Sequence, residues 1–289
     1  MINISIILPI YNSEPTLWRC LESIRRESAS DSACETICVD NGSRDGSLEI
    51  VRAFPEVTLL HETKPGAYAA RNLGAAAARG RFLAFTDPDC VLAWGWLRAA
   101  LDTLRDETCL VVLGVRRPAP DTGLNRLLGD YEVTKDRFVI SSQQPLKYYG
   151  YTNTMSIRRE AWDRFGPFDD RPRGSDTIFV RRVVDGAGCA AVKFVPAMEI
   201  SHLEIDGPLT YLKKAFIYGR SLQSYRRTVV SKPLTFRDRW QVFRAAAKEN
   251  DYGPIRSVAL AVLLLSGMGA WSLGRLAGRL AENKNSLQE

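Results

Sequence analysis

The chain has 289 residues, 45% of them hydrophobic and 25% charged, an ordinary globular composition that excludes a disordered or repeat protein. Its net charge of +6 is uneven, because eleven Lys and Arg stand against three Asp and Glu between Lys213 and Arg256 while the rest is slightly acidic. That distribution argues against a nucleic-acid binder, which would carry its basic patches on the folded body. Six scattered cysteines show no C-x-x-C pair and no zinc spacing, so they read as buried free thiols of a reducing compartment.

The first ten residues lack a basic leader and meet Pro9 inside their first apolar run, which predicts a strand, Ile4–Ile10, in a cytoplasmic protein. A helix follows over Pro15–Ser28, with Leu17, Leu21 and Ile24 on one face. Strands at Thr36–Val39, Val57–Leu60, Phe82–Phe85 and Leu110–Val115 then alternate with helices at Ser47–Phe54, Ala67–Ala78 and Trp96–Leu104. This alternation predicts a parallel sheet with helices on both faces, and a ligand site beyond the carboxyl ends of its strands. From Arg116 to Gly150 the pattern loosens. A strand near Tyr151–Ile157, helices near Arg159–Phe165 and Asp176–Val184, and a strand Ala191–Val195 leading to His202 come next. Beyond Pro208 the chain reads as helical throughout.

Polar clusters sit at the strand ends. Asp87-Pro88-Asp89 follows Phe82–Phe85, and two carboxylates one residue apart on a turn can face one hard cation, although a solvated turn is the plainer reading of a lone D-x-D. Asp40, in V-D-N-G-S-R-D-G-S, could accept a hydrogen bond from the imino N–H of a pyrimidine base, or could simply organise a turn and helix cap. Tyr11 could lie against a base and Glu14 could steer a ribose or base edge, while Asn12 or Ser13 suit a cap before Pro15. Lys64 and Arg71 flank Gly66 where a loop enters a helix, a place that suits a phosphate.

In order, the chain carries P-x-Y-N after an apolar strand, V-D-N-G-S-x-D-G-S, G-A-Y-A-A-R-N-L-G, F-T-D-P-D, and later Gly150–Arg159, Phe165–Asp169 and Gly174–Thr177. This ordered set resembles the family two glycosyltransferases of GT-A fold, over Ile4 to roughly Tyr218. The resemblance implies a mixed, mostly parallel sheet flanked by helices, and an inverting transfer of sugar from a nucleoside diphosphate sugar to an acceptor hydroxyl. It places Asp40 on the base, the segment Pro9, Tyr11, Asn12 and Glu14 around it, and Arg71 on donor phosphate or base. Asp87 and Asp89 then match the metal motif, the second as direct ligand, His202 matches a histidine that completes the shell of Mn2+ or Mg2+, and Asp176 matches the catalytic base. The family usually has Glu-Asp where this chain has Ser175-Asp176, so the acceptor side departs from the pattern.

These readings divide the chain into a nucleotide-sugar half (1–115), an acceptor half (116–230) and a helical tail (231–289). The tail holds an uncharged stretch, Val258–Leu273, between Arg256 and Arg275. It is short for a span of roughly 20 residues, so a tilted or interfacial helix on an anionic membrane is expected, against a helical pair packed on the domain or on a second subunit. The expected partners are a nucleotide-sugar donor and a glycan, lipid-linked or other hydroxyl acceptor, on the cytoplasmic face of a membrane. A non-catalytic subunit of the same fold that holds a partner enzyme is the competing reading.

Overall fold

All seven residues of strand β1 (Ile4–Ile10) are buried, as a strand covered by helices on both faces requires. The computed structural model describes residues 2–29, 33–121, 123–203, 207–226 and 232–285. β1 pairs in parallel with β2 (Cys34–Asp40) on one side and with β4 (Phe82–Thr86) on the other, and β2 pairs in parallel with β3 (Val57–His61). Helices α1 (Glu14–Ser28), α2 (Ser47–Arg52) and α3 (Ala67–Ala77) make the crossovers. The register sets Ile10 beside Asp40 and Asp40 beside His61, so the loops after these strands gather at one edge.

The sheet continues without a break into the second half of the chain. Beyond β4 come β7 (Thr154–Arg158), β6 (Val111–Pro118), β8 (Val192–His202) and β5 (Cys90–Leu92), giving eight described strands in the order β3-β2-β1-β4-β7-β6-β8-β5. Only β7 and β5 run against the rest. One apolar core, around Ile7, Phe85, Met155 and Phe179, fills one face of the sheet. The other, around Leu8, Leu17, Trp96 and Met198, fills the opposite face under α1 and α4 (Trp96–Leu104).

Three elements differ from the sequence expectation. The loose stretch after Arg116 contains a helix of 19 residues, α5 (Gly123–Ser141). Its buried face carries Asp130, Thr134 and Asp136 among the apolar residues, because Asp130 pairs with Arg117 and Asp136 with Arg116. Charged residues on the inner face erase the apolar period by which a helix is recognised. β5 has only three residues and escaped notice, and β8 runs on to His202 because β5 and the end of β6 pair with its second part.

Helices α6 (Arg159–Phe165) and α7 (Ser175–Ala187) follow the expected positions, and three more close the chain: α8 (Pro208–Arg226), α9 (Phe236–Glu249) and α10 (Pro254–Asn285). The expected boundary at 230–231, and Arg227 of the basic run, lie outside the described residues. α9 begins at a capping box in which the Thr235 and Asp238 side chains each take the other's backbone N–H. α10 lies on α8 in the same direction, with Tyr211 beside Gly267 and Arg220 beside Gly278. A Cβ at Gly274 would come 2.0 Å from the Phe216 carbonyl oxygen, and one at Gly219 2.0 Å from that of Trp271. The two backbones therefore touch, which only glycine permits. Leu260, Leu263 and Val242 join Leu127, Leu128 and Tyr131 in a third core that fixes the tail to α5.

Candidate active site

Two loops at the carboxyl edge are laced together. Asn12 is held at a φ of 47°, its N–H donating to Ser43 Oγ (3.0 Å) and its Oδ1 accepting from the Arg44 N–H (2.8 Å). The Glu14 carboxylate takes the Gly46 N–H at 2.9 Å, and the Glu14 N–H donates to Asp45 Oδ2 at 3.0 Å. Both side chains thus build the loop wall. Tyr11 stands exposed beside them, and Pro9 is buried within β1.

Asp40 is buried at the end of β2 and accepts from the Ser43 N–H (3.1 Å) and the Gly42 N–H (3.2 Å), with His61 Nδ1 3.5 Å away. Burial by itself would raise its pKa, but the bonds from Ser43, Gly42 and His61 outweigh it and hold the carboxyl below its ordinary value. A carboxylate has about four acceptor positions, and the Ser43 N–H and hydroxyl, the Gly42 N–H and His61 address all of them, His61 being the exposed partner among these.

Across the edge, Arg71 of α3 is 5% exposed, forms an ion pair with Asp87 and lies over the Tyr68 ring, 5.3 Å from its centroid. Asp87 is therefore neutralised from within. Asp89 is left to His202: Oδ2 and Nε2 are 3.5 Å apart, and with Cys90 Sγ these atoms lie within 4.8 Å of one another. A carboxylate and an imidazole so placed could occupy adjacent positions on one Mn2+ or Mg2+ ion. Cys90 is a poor third ligand. Burial, then the Asp89 and Asp87 charges, push its pKa well up, and its thiol donates to Asp89 Oδ1 at 3.5 Å.

Asp176 stands in the first turn of α7, where Gly174, at a φ of 85°, is the N-cap. Asp176 is thus not the cap itself. Its Oδ1 accepts the Thr177 N–H at 2.8 Å, and the Tyr68 hydroxyl also bonds its carboxylate. Burial raises its pKa above the ordinary value against the opposing pull of that N–H, Arg71 and Tyr68. Ser175, the residue that departs from the family pattern, is fully buried and is not part of the cleft wall.

Arg71, Asp87, Asp89, Asp176 and His202 line one cleft of about 730 Å³. Pro9, Tyr11, Asn12, Glu14 and Asp40 form the neighbouring cluster at the ends of β1 and β2. Lys64 belongs to neither, since it pairs with Asp170 at 2.5 Å beside a separate depression. Tyr68 and Asn153 were missed. Tyr68 precedes Arg71 by three residues and so shares its helix face, a spacing that could have revealed it. Asn153 lies inside the Gly150–Arg159 motif but was not singled out within it.

Gly150 fits against the start of α7, where a Cβ would meet the Asp176 carbonyl oxygen at 2.7 Å and Val180 Cγ2 at 2.6 Å. The Gly150→Ala variant is expected to lose about 1–3 kcal/mol of stability and to lower turnover by displacing Asp176. Chemical denaturation alongside turnover measurements checks both.

Comparison with known proteins settles the family. The sequence model named Glycosyl transferase family 2 matches residues 5–166, more than half of the chain. The chain belongs to this family. Curated proteins similar to it include the glycosyltransferase AglE of Haloferax volcanii, 26% identical over 204 residues, which cover 63% of this chain and 61% of AglE. Another is the glycosyltransferase GlyG of Streptococcus pneumoniae, 34% identical over 116 residues, or 38% of each chain. The chain thus spans less than two thirds of the length of these curated relatives. Among solved structures, the mannosyltransferase PcManGT of Pyrobaculum calidifontis, in complex with GDP-Man and Mn2+, covers 99% of this chain and 80% of its own, with a TM-score of 0.62 and 20% identity. Glucosyl-3-phosphoglycerate synthase of Mycobacterium tuberculosis, in complex with Mn2+, UDP-Glc and glycerol 3-phosphate, covers 73% of this chain and 75% of its own, with a TM-score of 0.52 and 20% identity. At such identities the likeness is one of fold, and the fold is GT-A.

Proposed function

We propose that this family two protein is an inverting glycosyltransferase that moves a sugar from a nucleoside diphosphate sugar, a UDP-sugar by preference, to an acceptor hydroxyl in cell-surface glycan or glycolipid synthesis. The observation that carries the reading is the convergence of Asp176, the Arg71–Asp87 pair and the Asp89–His202 pair in one cleft at the strand ends. Asp89 and His202 hold the divalent cation, Mn2+ or Mg2+, with Asp87 beside them. Bound there, the cation supplies charge neutralisation for the departing diphosphate. The Mn2+ and nucleotide sugars in the two solved relatives support this.

Asp176 takes the proton of the acceptor hydroxyl as its oxygen attacks the anomeric carbon. Asp40 suits the imino N–H of uracil if the base takes the place of exposed His61 on its carboxylate, which favours UDP. A thermal-shift screen of UDP-, GDP- and dTDP-sugars with and without Mn2+ tests the assignment; stabilisation by none of them in the presence of Mn2+ would overturn it.

The pH dependence follows from Asp176. A base acts only when deprotonated, so kcat/KM should fall as pH drops through its pKa. Burial places that acid limb above the value of about 3.9 for a free aspartate. A pH–rate profile checks the position of the limb.

The tail attaches the protein to the cytoplasmic face of a membrane. Residues Pro254–Leu280 are long and apolar enough to cross a bilayer, with a hydropathy of 1.7. Packing on α8 and α5 instead favours a helix lying on the surface. Its outer face exposes Ile255, Val258, Val262, Leu265, Leu276 and Leu280 at helical spacing, a stripe of about 38 Å. Exposed Arg237, Arg244 and Lys248 of α9 add charge suited to anionic lipid. Vesicles containing phosphatidylglycerol should bind the protein and vesicles of phosphatidylcholine should not; a Val258→Asp/Leu265→Asp double variant should lose sedimentation with vesicles while still binding nucleotide.

A further inference from the structure

The wall of the cleft away from the carboxylates is basic. Arg173 before α7, Lys214 of α8, Lys232 before α9 and Arg239 of α9 come from four segments and line the same cleft. Other cations of that lining are neutralised inside the protein: Arg116 by Asp136, Lys135 by Glu132 and Lys147 by Asp238. Among the described residues, Arg173, Lys232 and Arg239 form no ion pair with a carboxylate. Arg173 lies over the Tyr218 ring, 5.4 Å from its centroid, and Arg239 meets the Tyr131 hydroxyl. Like charges gathered on one concave wall repel each other, and an anion placed between them relieves that repulsion.

A second observation points to a ligand. Asn153 lines the cleft at only 9% exposure, and its buried Oδ1 has no hydrogen-bond partner among the described residues. A buried amide oxygen left so is costly, and a ligand hydroxyl satisfies it. The cleft also opens into a branch of about 380 Å³ between α5, α8 and α10, where Tyr211, Tyr218, Met268 and Trp271 supply apolar surface.

We infer that the acceptor carries a phosphate group near its reacting hydroxyl, bound by Arg173, Lys214, Lys232 and Arg239. This rests on the transferase reading and names the acceptor class for the same cleft. The phosphate serves as a handle and takes no part in bond exchange. The acceptor oxygen forms the new bond to the anomeric carbon, its proton goes to Asp176, and the nucleoside diphosphate leaves with the electrons of the broken bond. A phosphate of this kind could sit on a lipid or on a soluble molecule, and the apolar branch is open to the chain of a lipid.

The test uses the full chain in EDTA, so that donor-side metal plays no part, and calorimetry with three probes: glycerol 3-phosphate, dodecyl phosphate below its micelle concentration, and dodecyl maltoside. Dodecyl phosphate should bind and dodecyl maltoside should not. Equal binding of glycerol 3-phosphate assigns a soluble acceptor, and binding of dodecyl phosphate alone assigns a lipid. An Arg173→Gln/Lys232→Gln/Arg239→Gln variant should weaken phosphate binding by at least about tenfold while retaining Mn2+-dependent nucleotide binding, which also reports that it is folded. Should it fail to fold, added NaCl must weaken dodecyl phosphate binding to the wild type. Salt-insensitive binding, equal affinity in the triple variant, or equal affinity for dodecyl maltoside would overturn the inference. Asp89→Ala separates the two readings, since it should lose metal-dependent nucleotide binding and keep phosphate binding in EDTA.

Discussion

Replacing Asp176 by Asn is expected to lower turnover by roughly 10²–10⁴-fold, the usual contribution of a general base, while donor binding stays unchanged. The amide keeps the volume of the carboxylate, so Tyr68 and Thr177 keep a neighbour of the same shape in the first turn of α7. What it loses is the ability to accept a proton. Single-turnover measurement with saturating donor isolates that step from binding and product release. Retained turnover would move the base elsewhere. Asp87 is a poor substitute because its carboxylate is already engaged by the buried guanidinium of Arg71.

The second large effect concerns Asp89. Asp89→Ala should abolish the Mn2+ dependence of nucleotide-sugar binding and reduce transfer to background, because His202 alone offers one neutral ligand where Asp89 supplied charge. Titration of the nucleotide sugar with and without Mn2+, in wild type and variant, gives the result directly. Metal-dependent binding that survives in the variant would remove Asp89 from the site. Asp87→Ala should behave differently. It leaves Arg71 buried without its partner, so lost stability should accompany any lost binding.

Much of the fold was legible because the central strands β1 and β4 are buried on both faces and so read as nearly continuous apolar runs. The site residues were legible by order along the chain, since a parallel sheet returns each loop to the same edge. Two things hid the remainder. α5 places Asp130 and Asp136 inside, and the partners that make this tolerable, Arg117 and Arg116, lie on β6. Lys64 looked like a phosphate ligand from its place near Gly66, yet Asp170, over a hundred residues away, holds it. A pairing across such a separation leaves no local mark. Glu14 and Asn12 show the reverse: their place at the end of β1 was legible, but the hydrogen bonds that tie them to Gly46 and Arg44 of the second loop were not.

The glycines between α8 and α10 have a mechanical consequence. Where Gly219 and Gly274 set backbone against backbone, no side-chain rotamers lie between the helices to absorb a displacement. A tilt of α10 is therefore transmitted to α8 as by a rigid lever. Lys214 and Tyr218, which line the cleft, ride on that lever. A displacement at the exposed face of α10 would thus reach the wall of the cleft without any separate hinge.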